Sequence, residues 1–242
     1  MKNKRTFSYL FCVFFLGTDD ALAFQPIVLT LSGGGAWYAA GQTQTFYLQP
    51  GFKNTYVANT PTKVLAEGEV FVGLQNTLPL SLLGQLGLTF AGSGDAHLQG
   101  RVWEAGEPAF DNFSYQYQIN HMHVGLKGKL FKPLANISYL PYLGGSLGVG
   151  YNHAYDFTMQ SVAFETLPEP LFTNNTETTF TYTLSAGVQK IINQHWQVGA
   201  GYEFSDWGKS RLSRAPGQTL SNGLLLYHLY TNQLQLNVSY LS

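Results

Sequence analysis

The last segment of the chain has the pattern that most constrains its fold. From Leu234 to Tyr240, apolar and polar residues alternate without interruption. Successive side chains of a β-strand point to opposite faces, so one face carries only apolar residues and the other carries Gln235, Asn237 and Ser239. The pattern predicts a strand with apolar surroundings on one side and polar surroundings on the other, and it does not fit the period of a helix.

The same alternation recurs seven more times, which predicts eight strands. The connections between them alternate in length, which indicates an antiparallel sheet with tight turns at one end and long loops at the other. The predicted strands cover residues 27–38, 63–78, 80–102, 115–131, 137–157, 178–192, 195–204 and 224–240. The predicted short turns are 77–79, 133–136 and 193–194, and the predicted long loops are 39–62, 104–112, 158–177 and 205–223.

Two of these strands have informative details. In the third, 80–102, the even positions form one continuous face that is uncharged and apolar or small. In the fourth, the apolar parity changes between Ile119 and Met122. This change predicts either a β-bulge or the point at which the strand leaves a bilayer.

Composition places the apolar face against lipid. Charged residues make up 11% of the chain, compared with about 25% in typical soluble domains. A soluble sandwich or a lipocalin-like barrel would need more surface charge, and a helical membrane protein would need long apolar runs. The 26 glycines, 15 tyrosines and 17 phenylalanines are typical of a membrane-embedded sheet. We therefore predict one all-β domain over residues 24–242, an eight-stranded antiparallel transmembrane β-barrel with four longer extracellular loops.

The N-terminus predicts export. Basic residues at Lys2, Lys4 and Arg5 precede an apolar run over residues 7–17, and small residues follow at 21–23. This is the pattern of a secretory signal peptide, which we assign to residues 1–23. The single cysteine, Cys12, lies within the apolar run, so the mature chain would have no disulfide and no cysteine metal site.

Aromatic residues on the apolar faces predict two girdles at the membrane surfaces. Tyr230 and Tyr240 share a face ten residues apart, which corresponds to about 25 Å along the membrane normal at a tilt of about 40°. Tyr139 and Trp196 would join Tyr240 in the periplasmic girdle, and Tyr202 would lie toward the outer girdle.

The chain resembles the small eight-stranded outer-membrane β-barrels of Gram-negative bacteria, with OmpA-like or Opa-like architecture and no assigned chemistry. The resemblance extends over the mature chain and is carried by residues 198–210 (VGAGYEFSDWGKS), 214–219 (RAPGQT) and 228–235 (HLYTNQLQ). It implies a location in the outer membrane, contact with lipid and lipopolysaccharide, and insertion by the barrel-assembly machinery. It implies no cofactor and no nucleic-acid partner.

Charged residues at inward positions predict a lumenal network. An eight-stranded barrel is just wide enough for side chains to fill it, and unpaired buried charge is costly. We expect these residues to pair across the lumen, and the alternative is a path for protons or ions. The residues are Glu67, Glu69, Lys127, Lys129 and Glu203.

We expect neither a metal nor a catalytic site. His121 and His123 share a face with Lys127, but a metal ion would need further ligands from another strand. Lipid A deacylase barrels carry His-x-Ser on one strand, and no histidine of this chain has that spacing. The protein is therefore expected not to be an enzyme.

Basic loop residues predict contacts with lipopolysaccharide phosphates. Lys209, Arg211 and Arg214 follow Asp206 without a compensating acid, and Arg101 could join them in a belt. The equally weighted alternative is ordinary solvated charge. The third long loop, which contains Glu165 and Glu169, could contact an extracellular protein partner.

Together these features predict a barrel that displays surface loops for adhesion, host-factor binding or envelope integrity. The alternative is a narrow channel for small solutes, and a lipid-modifying enzyme is a weaker third hypothesis.

Overall fold

The computed structural model describes residues 25–134, 138–162, 171–218, 220 and 222–242. The predicted signal peptide, 1–23, lies outside these residues, as do 135–136 of a predicted turn, 137 at the start of a predicted strand, and 163–170 of the third long loop. No helix in the described part of the chain is long and apolar enough to span a membrane.

The structure is almost entirely antiparallel sheet, and it confirms the predicted fold class. Fifteen strands and two short 3₁₀ helices, Pro79–Ser81 and Pro108–Phe110, lie in the described residues. The strands are β1 (Ile27–Tyr38), β2 (Gln44–Gln49), β3 (Phe52–Asn59), β4 (Lys63–Leu78), β5 (Leu82–Ser93), β6 (Ala96–Glu104), β7 (Asp111–Phe131), β8 (Tyr139–Ser161), β9 (Phe172–Thr173), β10 (Asn175–Ile191), β11 (Trp196–Asp206), β12 (Ser210–Arg211), β13 (Ser213–Arg214), β14 (Leu225–Leu226) and β15 (Tyr230–Leu241).

Eight of these strands form a closed ring. Its order is β1, β4, β5, β7, β8, β10, β11 and β15, and β15 returns to β1. The closing pair runs from Val28 opposite Leu241 to Tyr38 opposite Thr231. A closed ring has no free edge, which is what a sheet inside a bilayer requires.

The predicted third strand is divided in the structure. The predicted segment 80–102 becomes β5 and β6, separated at Gly94 and Asp95. Odd residues such as Thr89 are buried in β5, whereas even residues such as Leu98 are buried in β6. The prediction of one continuous even face was therefore wrong, because the two residues between the strands reverse the parity.

The fourth strand keeps one parity throughout. Odd residues of β7 point inward from Phe113 to Phe131, and the pairing with β8 has no irregularity between Ile119 and Met122. The change of apolar parity is therefore not caused by a bulge in β7 at this point, which favours the alternative that the strand leaves the bilayer there. Within the bilayer the outward side chains of β7 face lipid and are apolar, and the inward ones are mostly polar. Above the bilayer the outward side chains face water and are polar, and the inward ones form an apolar core.

An extension of the sheet stands above the membrane. The predicted first loop, 39–62, contains the hairpin β2–β3, and β3 pairs with β6. Tyr56 lies at the centre of this extension, with ring centroids 5.5 Å from Phe46, 5.3 Å from Phe172 and 5.4 Å from Tyr115. The predicted last strand also begins later than expected, at Tyr230, because Leu225 and Leu226 belong to the small β12–β14 pair.

The parity change between β5 and β6 is testable by cysteine labelling. The single cysteine, Cys12, lies within the predicted signal peptide. Gln99→Cys should react with a water-soluble maleimide on intact cells, with the unsubstituted protein as the background control. Leu98→Cys should be protected, because Leu98 is buried in the extension core. The opposite labelling pattern would show that the even face continues outward through β6.

Candidate functional site

Three charged side chains meet inside the barrel. Lys127 Nζ lies 2.7 Å from both carboxylate oxygens of Glu69 and 2.7 Å from Glu203 Oε2. These residues come from β7, β4 and β11, which are separated around the ring by at least one other strand. The two ion pairs therefore cross the lumen. All three side chains are almost fully buried. Attraction to the opposite charges therefore has to offset the free-energy cost of removing each charged group from water.

The other two members of the predicted network form no ion pair with this triad among the described residues. Lys129 Nζ stands 5.2 Å from the ring centroid of Phe71 and 5.7 Å from that of Tyr142, in cation–π geometry. Glu67 is buried, and its Oε2 has no hydrogen-bond partner among the described residues. The structure thus brings Lys127, Glu69 and Glu203 together in direct contact, but not all five.

Apolar and uncharged polar side chains together fill the periplasmic end of the lumen, where Thr30 and Gln189 both hydrogen-bond to Ser239. Phe131 and Tyr142 pack at a centroid distance of 5.5 Å, and Leu140 belongs to the same buried cluster. Phe71 is fully buried beneath Lys129. This layer separates the ion pairs from the periplasmic opening.

A histidine pair lies toward the extracellular end. The Asn152 amide donates to the carbonyls of Trp207 and Lys209 at 2.8 and 2.7 Å, which identifies its Oδ1 as an acceptor. His121 Nδ1, 2.6 Å from that oxygen, must then carry the proton. In a neutral ring His121 Nε2 accepts, so His123 Nδ1 donates across the 3.0 Å between them.

Trp207 closes the lumen above the histidines. Its ring stacks on His121 at a centroid distance of 4.4 Å with an interplanar angle of 5°. A Cβ at Gly150 would lie 2.8 Å from His121 Cε1, so the glycine makes room for this stack. The described residues contain no group of three or more His, Cys, Asp or Glu that could hold a metal ion.

The basic loop residues are paired differently from the prediction. Lys209 Nζ lies 3.1 Å from Glu177 Oε1, and Arg211 Nη2 lies 3.3 Å from Glu177 Oε2. The expectation that these cations have no compensating acid was wrong, because β10 places Glu177 beside them. Arg214 donates to the Leu220 carbonyl at 3.0 Å.

Arg101 is separated from those three residues. It lies on β6, where its Nε contacts the two carboxylate oxygens of Asp111 at 2.9 and 3.0 Å. Arg101 thus has a different acidic partner from Lys209 and Arg211. The predicted role of the four cations as phosphate contacts stays a prediction, as does the partner surface at Glu165 and Glu169, which lie outside the described residues.

The five predicted girdle residues all lie on the outward face of the barrel. Trp196 and Tyr240 pack edge to face at 5.2 Å near the periplasmic end, and Lys190 Nζ stands 5.7 Å above the Tyr139 ring. Tyr230 begins β15 at the opposite end. Tyr202 lies partway up β11, where its hydroxyl donates to Asn232 Oδ1 at 2.5 Å.

Sequence reasoning missed Asn152 and Trp207 as structural residues of the lumen. Asn152 occupies an even position of β8 among small residues, so its inward direction was readable from the alternation. Trp207 follows β11 inside a predicted loop, and no pattern marked it as buried. Its contact with His121 joins distant parts of the chain.

Removal of the lysine should destabilise the barrel strongly. In Lys127→Met, Glu69 and Glu203 lose their shared cation inside the lumen. The free energy of unfolding should fall by about 3–5 kcal/mol, measured by urea titration of the barrel refolded in lipid vesicles. Lys132→Met, on an exposed periplasmic turn, is the control and should change little. A loss below about 1 kcal/mol in Lys127→Met would contradict an energetically coupled triad.

The Glu177 cluster should make the last long loop sensitive to acid. Glu177 lies on β10 above Phe180, the last apolar outward residue of that strand. Burial raises the pKa of Glu177, but the hydrogen bond from Lys209 and the charges of Arg211 and Lys209 outweigh this and hold it below the ordinary value of 4.5. A lowered folded-state pKa gives stability that is present above 4.5 and is lost as the pH falls below it.

This pH dependence can be measured by amide hydrogen exchange of residues 205–218. Protection of this segment should fall as the pH drops below 4.5, after correction for the intrinsic exchange rate. In Glu177→Gln the protection should be lower at neutral pH and should change less with acid. An unchanged pH profile in the variant would remove Glu177 as the cause.

Comparisons with known proteins agree with the geometry. The family model described as an outer membrane protein beta-barrel domain matches residues 27–241. No protein of curated function matches the chain. The crystal structure of the outer membrane protein OprG from Pseudomonas aeruginosa aligns with 90% of this chain and 97% of its own, at 13% identity and a TM-score of 0.50.

Two further structures align less closely. Neisserial surface protein A covers 89% of this chain and 96% of its own, at 10% identity and a TM-score of 0.44. The outer membrane protease OmpT from Escherichia coli covers 90% and 97%, at 8% identity and a TM-score of 0.44. At these identities the likenesses concern the fold alone. Together with the closed eight-stranded ring, the family match shows that this chain belongs to the outer-membrane β-barrel proteins of Gram-negative bacteria.

Proposed function

We propose that the protein is a non-catalytic display barrel, whose membrane ring serves as a rigid stem for the extracellular extension. The observation that carries this proposal is the buried core of the extension. Tyr56, Tyr115 and Phe172 pack there in a buried cluster that joins the hairpin β2–β3 to the upper part of the ring strands. A folded core above the bilayer holds the surrounding surface in a defined shape, which favours specific binding.

Exposed aromatic residues indicate where an extracellular protein partner would bind. Tyr47 and Phe52, on the hairpin β2–β3, are 71% and 66% exposed. A cleft of about 440 Å³ lies beside Tyr47, between β2 and residues of the last long loop such as Leu220. Aromatic side chains supply much of the binding energy in protein interfaces, and water is a poor environment for them otherwise.

The occlusion of the lumen supports display over conduction. The Lys127 ion pairs, the Phe131 layer below and Trp207 above are nearly inaccessible to solvent. A path for solutes would require the Phe131 layer, the Lys127 ion pairs and Trp207 all to move aside. Opening the ion pairs would leave Lys127 and its two carboxylates unpaired inside the barrel. The narrow channel is therefore the second candidate.

The arrangement of histidines supports a non-catalytic role. His228 Nδ1 lies 2.8 Å from Asp206 Oδ2, which resembles the base and orienting acid of hydrolytic sites. Among the described residues, the His228 ring also stacks on that of Tyr230, at a centroid distance of 5.3 Å. A nucleophilic hydroxyl is not among those contacts.

The display function can be tested by surface expression in a non-adherent bacterium. Cells carrying the native protein should be retained on an epithelial monolayer, and the double variant Tyr47→Ser, Phe52→Ser should lose most of this retention. Leu80→Ser is the matched control, since Leu80 is equally exposed on a periplasmic turn and should not affect retention.

Two outcomes would overturn the proposal. Equal retention of the native protein and the double variant would exclude the aromatic hairpin as the binding surface. Stable single-channel currents in planar bilayers, altered by Lys127→Met, would favour the second candidate, the narrow channel for small solutes.

A further inference from the structure

A polar groove lies on the outward face of the extension. Two adjoining clefts, of about 310 and 250 Å³, share Gln99 and Gln116 and together follow strands β6, β7 and β8. Their combined size is in the range of small-molecule sites. The polar side chains that line the larger cleft include Gln99, Arg101, Ser114, Gln116, Thr158 and Gln160.

The groove begins directly above the lipid-facing surface. The outward residues of β7 are apolar up to Met122 and polar from Asn120 onward. Gln116 lies six residues beyond Met122, which corresponds to roughly 15 Å along the membrane normal at a tilt of about 40°. A headgroup layer is about 5–8 Å thick, so this height lies above it, where the sugars of an outer-leaflet glycolipid extend from the membrane.

Irregular pairing gives this part of the sheet its shape. The register between β7 and β8 shifts between Gln116 and Gln118. On the opposite strand, Asp156 has a φ of 56°, in the left-handed region. A bulge increases the local twist and bends the strand, so the outward face is recessed here instead of flat.

The chemistry of the groove suits a phosphorylated saccharide. Amide and hydroxyl groups can both donate and accept, as sugar hydroxyls require. Thr158 Oγ1 is buried in the groove wall without a hydrogen-bond partner among the described residues. Arg101, with 42% of its side chain exposed, stands in one cleft, and Lys63 lines the other, where it donates to Gln99 Oε1 at 2.9 Å.

We propose that this groove binds the phosphorylated core sugars of the lipopolysaccharide molecule beside the barrel. The groove continues the face that contacts lipid, so an occupant can keep its acyl chains against Met122 and Val124. Of the four cations predicted to meet phosphate, Arg101 alone lies in this groove. Arg101 is paired with Asp111 through its Nε, as Lys209 and Arg211 are paired with Glu177, so it is its position in the cleft that singles it out. The site concerns the protein's own membrane and is independent of the partner surface at Tyr47.

The probe for this site is core oligosaccharide freed of lipid, titrated into the folded barrel in detergent micelles and followed by NMR. Native protein should bind it, and Gln99→Ala, Gln116→Ala should bind about tenfold more weakly through the loss of two hydrogen bonds. The control, Thr178→Ala, Gln218→Ala, removes a hydroxyl and an amide at other surface positions and should bind as the native protein does. Heat-dependent gel migration verifies that each variant is folded.

Further titrations distinguish the sources of the saccharide. Dephosphorylated core should bind more weakly, and Arg101→Gln should remove that difference. Absence of binding by the native protein, or equal binding by both double variants, would overturn the proposal. Stronger binding of heparin than of phosphorylated core would also overturn it, because the groove would then serve a sulfated glycan from another cell.

Discussion

The closure of the sheet between β1 and β15 is the constraint on which the rest of the structure depends. A bilayer offers no hydrogen bonds to the backbone, so every strand within it must have a neighbour on both sides. Eight strands satisfy this requirement with a lumen that side chains can fill. That narrow interior forces Lys127, Glu69 and Glu203 into contact, since none of them can reach water.

The same strands reverse their chemistry where they leave the bilayer. Within it, β7 points His123 and Lys127 inward and Val124 toward lipid. Above it, β7 points Tyr115 and Ile119 inward and Gln116 outward. One long strand therefore serves two environments, and the extension gains an apolar core of the kind found in soluble proteins. Trp207, packed on His121, joins the two parts.

Much of the barrel could be predicted because its signals are local. A period of two identifies a strand from its own residues, and the outward position of Tyr240 followed from its neighbours alone. The inward direction of Glu69 and Lys127 followed in the same way. Pairing partners depend on register and on the fold of distant loops. For this reason the contact between Glu177 and the two cations of the last loop was missed.

The sequence by itself determined an eight-stranded membrane sheet, its lipid-facing residues and the set of charges within its lumen. Alternation and composition are enough for this, because every strand in the bilayer must present an apolar face to the lipid. Only the tertiary structure decided which charges meet, that the parity reverses at Gly94 and Asp95, and that the predicted first loop folds onto β6. These features arise from packing between segments far apart in the chain, and local periodicity carries no information about such contacts.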